Sequence, residues 1–162
     1  MVQRNRNTGT KSVQDVRVKG VKELLPLARK WFNLYIRLRD TDEYGRGYCI
    51  SSGKLLKINS VNCQAGHYFS AGKHPWLAFN EDNVHLQSKS DNYFQHGNLL
   101  PYRKNLIKKI GENAVKELEI IDGYFVNKQG TKDGFKWDRY GLMDIINTYR
   151  EKCKRIKQTK MI

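Results

Sequence analysis

Residues 61–98, VNCQAGHYFSAGKHPWLAFNEDNVHLQSKSDNYFQHGN, decide how this chain is read. They hold all four of its histidines: His67, His74, His85 and His96. Two short extended segments are predicted, over 62–69 and 77–87, with Gly72 and Pro75 in the loop between them. A helix is predicted to open near Asp91 and to run to His96, where Gly97 and Asn98 interrupt it. His67 then sits on the first strand, Asn83 on the second and Asn92 at the start of the helix.

Outside this stretch the chain is strongly basic. Its 162 residues carry 30 Lys and Arg against 16 Asp and Glu, a formal charge of +14. That length suits one domain with a modest core. Such a charge favours anionic partners, nucleic acid first and an anionic membrane surface second. No apolar run approaches the roughly 18 residues of a spanning helix, so a membrane partner is not expected. The N-terminus, MVQRNRNTGTKS, has no signal-peptide core. Residues 1–12 read as a flexible basic arm and 13–162 as a single domain. The cysteines Cys49, Cys63 and Cys153 make a poor disulfide framework and fit a reducing cytoplasm.

Flanking helices complete the outline. Leu27, Trp31, Leu34, Tyr35 and Leu38 fall at helical spacing, with Pro26 expected in the first turn and Arg29, Lys30, Arg37 and Arg39 opposite. Residues 40–60 read as loop. Pro101 is expected to start a helix whose apolar face is Leu99, Tyr102, Leu106 and Ile110, ended by Gly111. A short helix over 112–120 and a linker over 121–136 follow. Asp138 is placed to cap a basic C-terminal helix, about 138–157, with Leu142, Ile145, Ile146, Tyr149, Cys153 and Ile156 as its stripe. The stripes are core. The basic far faces read as solvated surface that offers phosphate contacts.

The order strand–His67, strand–Asn83, helix–Asn92 is the outline of a ββα-metal (HNH-type) nuclease. Phosphodiester hydrolysis needs a base for water, and imidazole titrates near neutral pH. It needs a hard cation against the developing charge, and oxygen ligands suit Mg²⁺ or Mn²⁺. The base must also be held in one tautomer by a group at its other ring nitrogen, for which Asn83 is a candidate.

The segments YIRLRD (35–40), CISSGK (49–54), AGHYFSAG (65–72), HPWLAFNEDNVHLQ (74–87), GNLLPYR (97–103) and LIKKIG (106–111) closely resemble the phage lambda NinG (Rap) recombination proteins. The resemblance covers roughly residues 20–157. It implies an α+β fold: a central ββα-metal core of the HNH, endonuclease VII-like type, about 61–98, between N- and C-terminal helices. It implies a structure-specific endonuclease that cuts branched recombination intermediates such as Holliday junctions or D-loops in the host cytoplasm. His67 matches the general base, Asn83 the middle Asn of the pattern and Asn92 the metal ligand that opens the helix. The second ligand stays open among Asp91, His85 and Asp82. Arg37, Arg39, Lys73, His74, Arg103, Lys104, Lys108 and Lys109 are the candidates to hold DNA. A homodimer and contacts with other phage recombination proteins are compatible with the resemblance.

Two departures stand out, the first from the family pattern and the second from the wider HNH pattern. The family carries two Cys-x-x-Cys pairs around a structural zinc, whereas this chain has Cys49-Ile-Ser-Ser52 and Ser88-Lys-Ser-Asp91. Serine hydroxyls are poor zinc ligands, so no structural zinc is expected and hydrogen bonds and packing must hold the two loops together. Gly66 stands before His67, as in the NinG pattern, where many HNH nucleases have an Asp ligand. The alternative reading is therefore a catalytically inactive branched-DNA-binding protein on a decayed nuclease core.

Overall fold

The computed structural model describes residues 19–129 and 134–161. The basic arm expected over residues 1–12 lies outside them. Helix α1 (Val21–Arg39) is the spine. Glu23 reaches back to accept the Gly20 amide at 3.2 Å, satisfying one of the donors that a helix N-terminus leaves unpaired. The helix begins before Pro26, which therefore sits inside it and leaves the carbonyl of exposed Lys22 without its helical partner.

The buried residues of α1 are Leu24, Ala28, Phe32, Tyr35, Ile36 and Leu38. This stripe is turned from the expected one, and Leu27, Trp31 and Leu34 pack only at its margins. The cause is cover on two sides. Helix α4 (Arg139–Thr159) packs along α1, and a β-hairpin covers the adjoining face. Arg139 donates to Lys19 O at the start of both helices, and Lys160 donates to the Leu38 and Thr41 carbonyls at their ends. The two helices thus run in the same direction. Asp138 caps α4 as its sequence suggests, accepting Gly141 N at 2.8 Å. Glu81 clasps the pair: Tyr35 Oη donates to it at 2.7 Å, Tyr149 Oη at 3.1 Å and Lys152 Nζ at 2.5 Å.

The hairpin is β3 (Cys63–His67) against β4 (Val84–Ser88), antiparallel, with His67 opposite Val84 and Gly66 opposite His85. A second small antiparallel pair, β1 (Arg46–Tyr48) and β2 (Leu55–Lys57), lies in the stretch read as loop. Three-residue strands are too short to show an alternation. Gly47 is required in β1, since a Cβ there would stand 2.3 Å from Asp40 O. After β4 comes one π-helical turn, Ser90–Phe94, in place of the helix expected to reach His96.

Helix α2 (Leu99–Ile110) buries Tyr102 and Leu106, and Gly111 ends it at φ 88°. Helix α3 (Glu112–Gln129) extends well into the expected linker. It continues because its side chains have partners: Phe125 stacks on Trp76 at 5.4 Å, and Asp122 accepts Trp76 Nε1 at 2.9 Å. The architecture is mixed α+β, with two small antiparallel sheets set among helices.

Candidate active-site cleft

The loop between β3 and β4 is held from beneath by Asn83, which is fully buried. Its Oδ1 accepts Phe69 N at 2.7 Å, and its Nδ2 donates to Phe69 O and Leu77 O, each at 3.0 Å. Asn83 therefore spends its whole amide on the loop backbone and does not orient His67. The Ala78 carbonyl does that, 3.0 Å from His67 Nε2. A carbonyl only accepts, so Nε2 carries the proton and Nδ1 keeps a lone pair. Burial lowers the His67 pKa from its ordinary 6.5, partly opposed by the Ala78 bond and helped by Arg29. The imidazole is a neutral base.

His67 opens onto a cleft of about 710 Å³ shared with Asn92, His74, His96, Lys73 and Arg103. The structure thus gathers residues that the sequence separates. Asn92 donates through Nδ2 to Gln64 Oε1 at 2.9 Å, leaving its own oxygen as the unspent acceptor. His74 Nδ1 donates to Asp122 Oδ1 at 2.5 Å, so Nε2 is its remaining polar atom on the cleft wall. Asp122 was hidden in the sequence by the reading of 121–136 as a linker; the Ile120, Ile121 and Phe125 spacing was the only signal for it.

Other candidates are spent elsewhere. His85 is 2 % exposed, with Nε2 donating to Asp82 O and Nδ1 accepting from Arg39 Nη2, each at 3.0 Å. Burial lowers its pKa against the pull of Asp40, and it is a neutral core residue away from the cleft. Arg39 is bound to Asp40 at 2.8 Å, to Glu81 O and to Val84 O. Lys109 Nζ lies 2.9 Å from Asp40 Oδ2. Both cations balance a buried carboxylate. Arg103 pairs with Glu119 at 3.0 Å on the cleft rim. Lys73, Lys104 and Lys108 are exposed, and Arg37 is half-buried beside Ile58 and Lys157.

Asp91 is 3 % exposed and does not reach the cleft. It gathers all four positions of the family's zinc pattern. Ser88 Oγ donates to its Oδ2 at 2.5 Å, Ser52 Oγ at 2.7 Å and Cys49 Sγ at 3.2 Å. Its Oδ1 accepts Asn98 Nδ2 at 2.8 Å. The carboxylate is the centre of a hydrogen-bonded knot joining the two loops. Gly66 is explained by crowding: a Cβ there would stand 1.9 Å from Gln87 Oε1. That oxygen is a buried acceptor without a partner. Among the described residues, no three His, Cys, Asp or Glu side chains form a group able to hold a metal ion.

Fold and cleft together define a basic α+β protein with one histidine-lined groove, and no described helix is long and apolar enough to cross a membrane. The chain belongs to the family described as Bacteriophage Lambda NinG protein, whose sequence model it matches over residues 2–159. It is 44% identical over 133 residues to Protein ninG of Escherichia phage lambda, covering 82% of this chain and 57% of that protein. It is 42% identical over 133 residues to Protein ninG of Salmonella phage P22, again 82% and 57%. The chain spans little more than half the length of these relatives. No solved structure matches it.

Proposed function

We propose that this protein is a divalent-cation-dependent endonuclease for branched DNA recombination intermediates such as Holliday junctions or D-loops. The observation that carries the reading is the pairing, on one cleft, of a neutral His67 with a free Nδ1 and an Asn92 with a free amide oxygen. His67 takes the proton of the attacking water at Nδ1, while the Ala78 carbonyl holds Nε2–H and fixes the tautomer. Asn83 positions this arrangement through the loop. Lys73 supplies an ammonium donor for the phosphate.

Mg²⁺ or Mn²⁺ would be held by the Asn92 oxygen and by DNA phosphate. The ion supplies charge neutralisation at the scissile group. Mg²⁺ characteristically keeps several waters and leans on substrate phosphates, so a cleft without a carboxylate fits an ion that arrives with the DNA rather than a preformed site. The lack of a carboxylate ligand also favours the second reading, a non-catalytic binder of branched DNA. Incubation of the protein with a labelled four-way junction, in Mg²⁺, Mn²⁺ or EDTA, separates the two. Cleavage in either metal and none in EDTA is expected. Tight binding with no cleavage in any divalent metal would establish the binder.

A further inference from the structure

A nuclease selective for branches needs a feature that reads the branch. Phosphate contacts carry no such information. The segment from the π-helical turn into α2 forms one lip of the cleft, through Asn92, His96, Gly97, Leu99 and Leu100. The same segment exposes Tyr93 at 69%, Phe94 at 76% and Leu100 at 87%. Neither aromatic ring has a ring or cation partner among the described residues. Exposed apolar side chains on a segment that borders a polar cleft mark a contact surface.

The base of the lip is tied down by hydrogen bonds. Gly97 N donates to Asp91 O at 3.0 Å, Asn98 Nδ2 to Asp91 Oδ1 at 2.8 Å, and Gln87 Nε2 to Gly97 O at 2.6 Å. His96, Gly97 and Asn98 all have positive φ, at 47°, 88° and 45°. The surrounding bonds hold this left-handed run, and a folded protein gains nothing in its own core from the outward rings. The charge around the lip is positive. Lys89 precedes it and is exposed, and Lys104 is exposed on the face of α2 that begins at Leu100, next to Arg103 in its pair with Glu119. An apolar tip on a cationic support fits nucleic acid, whose bases are apolar on their faces and whose backbone is anionic.

We infer that Tyr93, Phe94 and Leu100 form a wedge that enters a DNA branch point and stacks on its unpaired or easily unstacked bases. Apolar side chains that insert between base steps are a general device for holding distorted DNA. A continuous duplex resists insertion because its steps must first be unstacked, whereas a branch offers open base faces without that cost. The wedge therefore converts general phosphate affinity into preference for branches, and its place beside His67 sets the cut close to the branch. This inference rests on the proposed reading of the cleft.

The test is the combined variant Tyr93→Ala, Phe94→Ala, Leu100→Ala, whose three sites are exposed and outside the core. Affinity is measured for a four-way junction and for a linear duplex of equal length, across a range of salt. A 2-aminopurine at the branch point reports unstacking. The expected result is a loss of roughly tenfold or more in junction affinity, an unchanged duplex affinity and salt slope, and loss of the fluorescence change. Undiminished junction preference in the variant overturns the wedge. So does an equal fall for both DNAs. Wild-type self-association in sedimentation velocity that disappears in the variant, with DNA binding unchanged, overturns it in favour of a second copy on the lip. A wild-type protein with no junction preference at all removes the proposed function itself, and the wedge with it.

Discussion

Cys49 Sγ donates to Asp91 Oδ2 at 3.2 Å, joining two loops 42 residues apart in the chain. The same oxygen accepts from Ser52 and Ser88. Hydrogen bonds to a charged group contribute about 1.5–3 kcal/mol each, and stranded buried donors add a penalty. Asp91→Ala should therefore lower unfolding stability by about 3 kcal/mol, measured as a shift of the urea midpoint. A loss within about 0.5 kcal/mol, as for an ordinary surface change, would show that the knot is not what joins the loops.

The knot also predicts the response to metal. The protein should unfold at the same temperature with or without EDTA. Because residues 52, 88 and 91 already converge on Cys49, the triple variant Ser52→Cys, Ser88→Cys, Asp91→Cys should gain a tetrathiolate zinc site. Elemental analysis should find about one zinc per chain in it, and its stability should become chelator-sensitive. Tight stoichiometric zinc in the unsubstituted protein would contradict the expectation directly.

Asp40 governs acid stability. Its side chain is 5% exposed. Burial alone would raise its pKa, but Arg39 and Lys109 around it hold the carboxyl well below the usual range. In the unfolded chain it titrates near its ordinary value of about 4. Its contribution is therefore complete above about pH 4 and declines as pH falls further. Asp40→Asn should cost about 3 kcal/mol at neutral pH, since breaking a buried pair leaves Arg39 without its counter-charge. It should also flatten the acid limb of a stability–pH curve. An acid limb as steep as in the unsubstituted protein would mean that other carboxylates set it.

That His67 and Asn92 would share one cleft could be anticipated from the sequence, because they lie in one short stretch whose strand order was legible. The roles of other residues depended on contacts that local pattern does not carry. Asn83 resembled a catalytic partner in spacing, yet its amide is consumed by Phe69 and Leu77. Arg39 and Lys109 looked like surface cations, because the carboxylate that claims them is visible only in three dimensions. The full length of α3 escaped because Gly123 interrupts its pattern, while the partner of Asp122, Trp76, lies 46 residues earlier.

Asn83→Ala separates positioning from chemistry. It leaves the Phe69 amide and the Phe69 and Leu77 carbonyls without their buried partner. Amide exchange at Phe69 should accelerate, stability should fall by about 2–3 kcal/mol, and cleavage should fall with them. Asn83→Asp keeps the acceptor for Phe69 N and should restore part of its protection. Unchanged exchange at Phe69 in the Ala variant would show that the loop is held without Asn83.

His67→Ala tests the chemistry alone. In the proposed reaction the imidazole acts on water and not on the DNA backbone, so junction affinity should stay nearly constant while cleavage drops by about 10²- to 10⁴-fold. Asn92→Ala should also lose cleavage but recover part of it at high Mn²⁺, because mass action can offset a lost metal ligand and cannot replace a base. The pH profile gives an independent check. Burial lowers the His67 pKa below its ordinary 6.5, so the base is unprotonated at neutral pH, and cleavage should decline only as pH falls below that value. An acid limb centred above it, or cleavage that survives His67→Ala, would move the base to another residue of the cleft, with His74 the next to substitute.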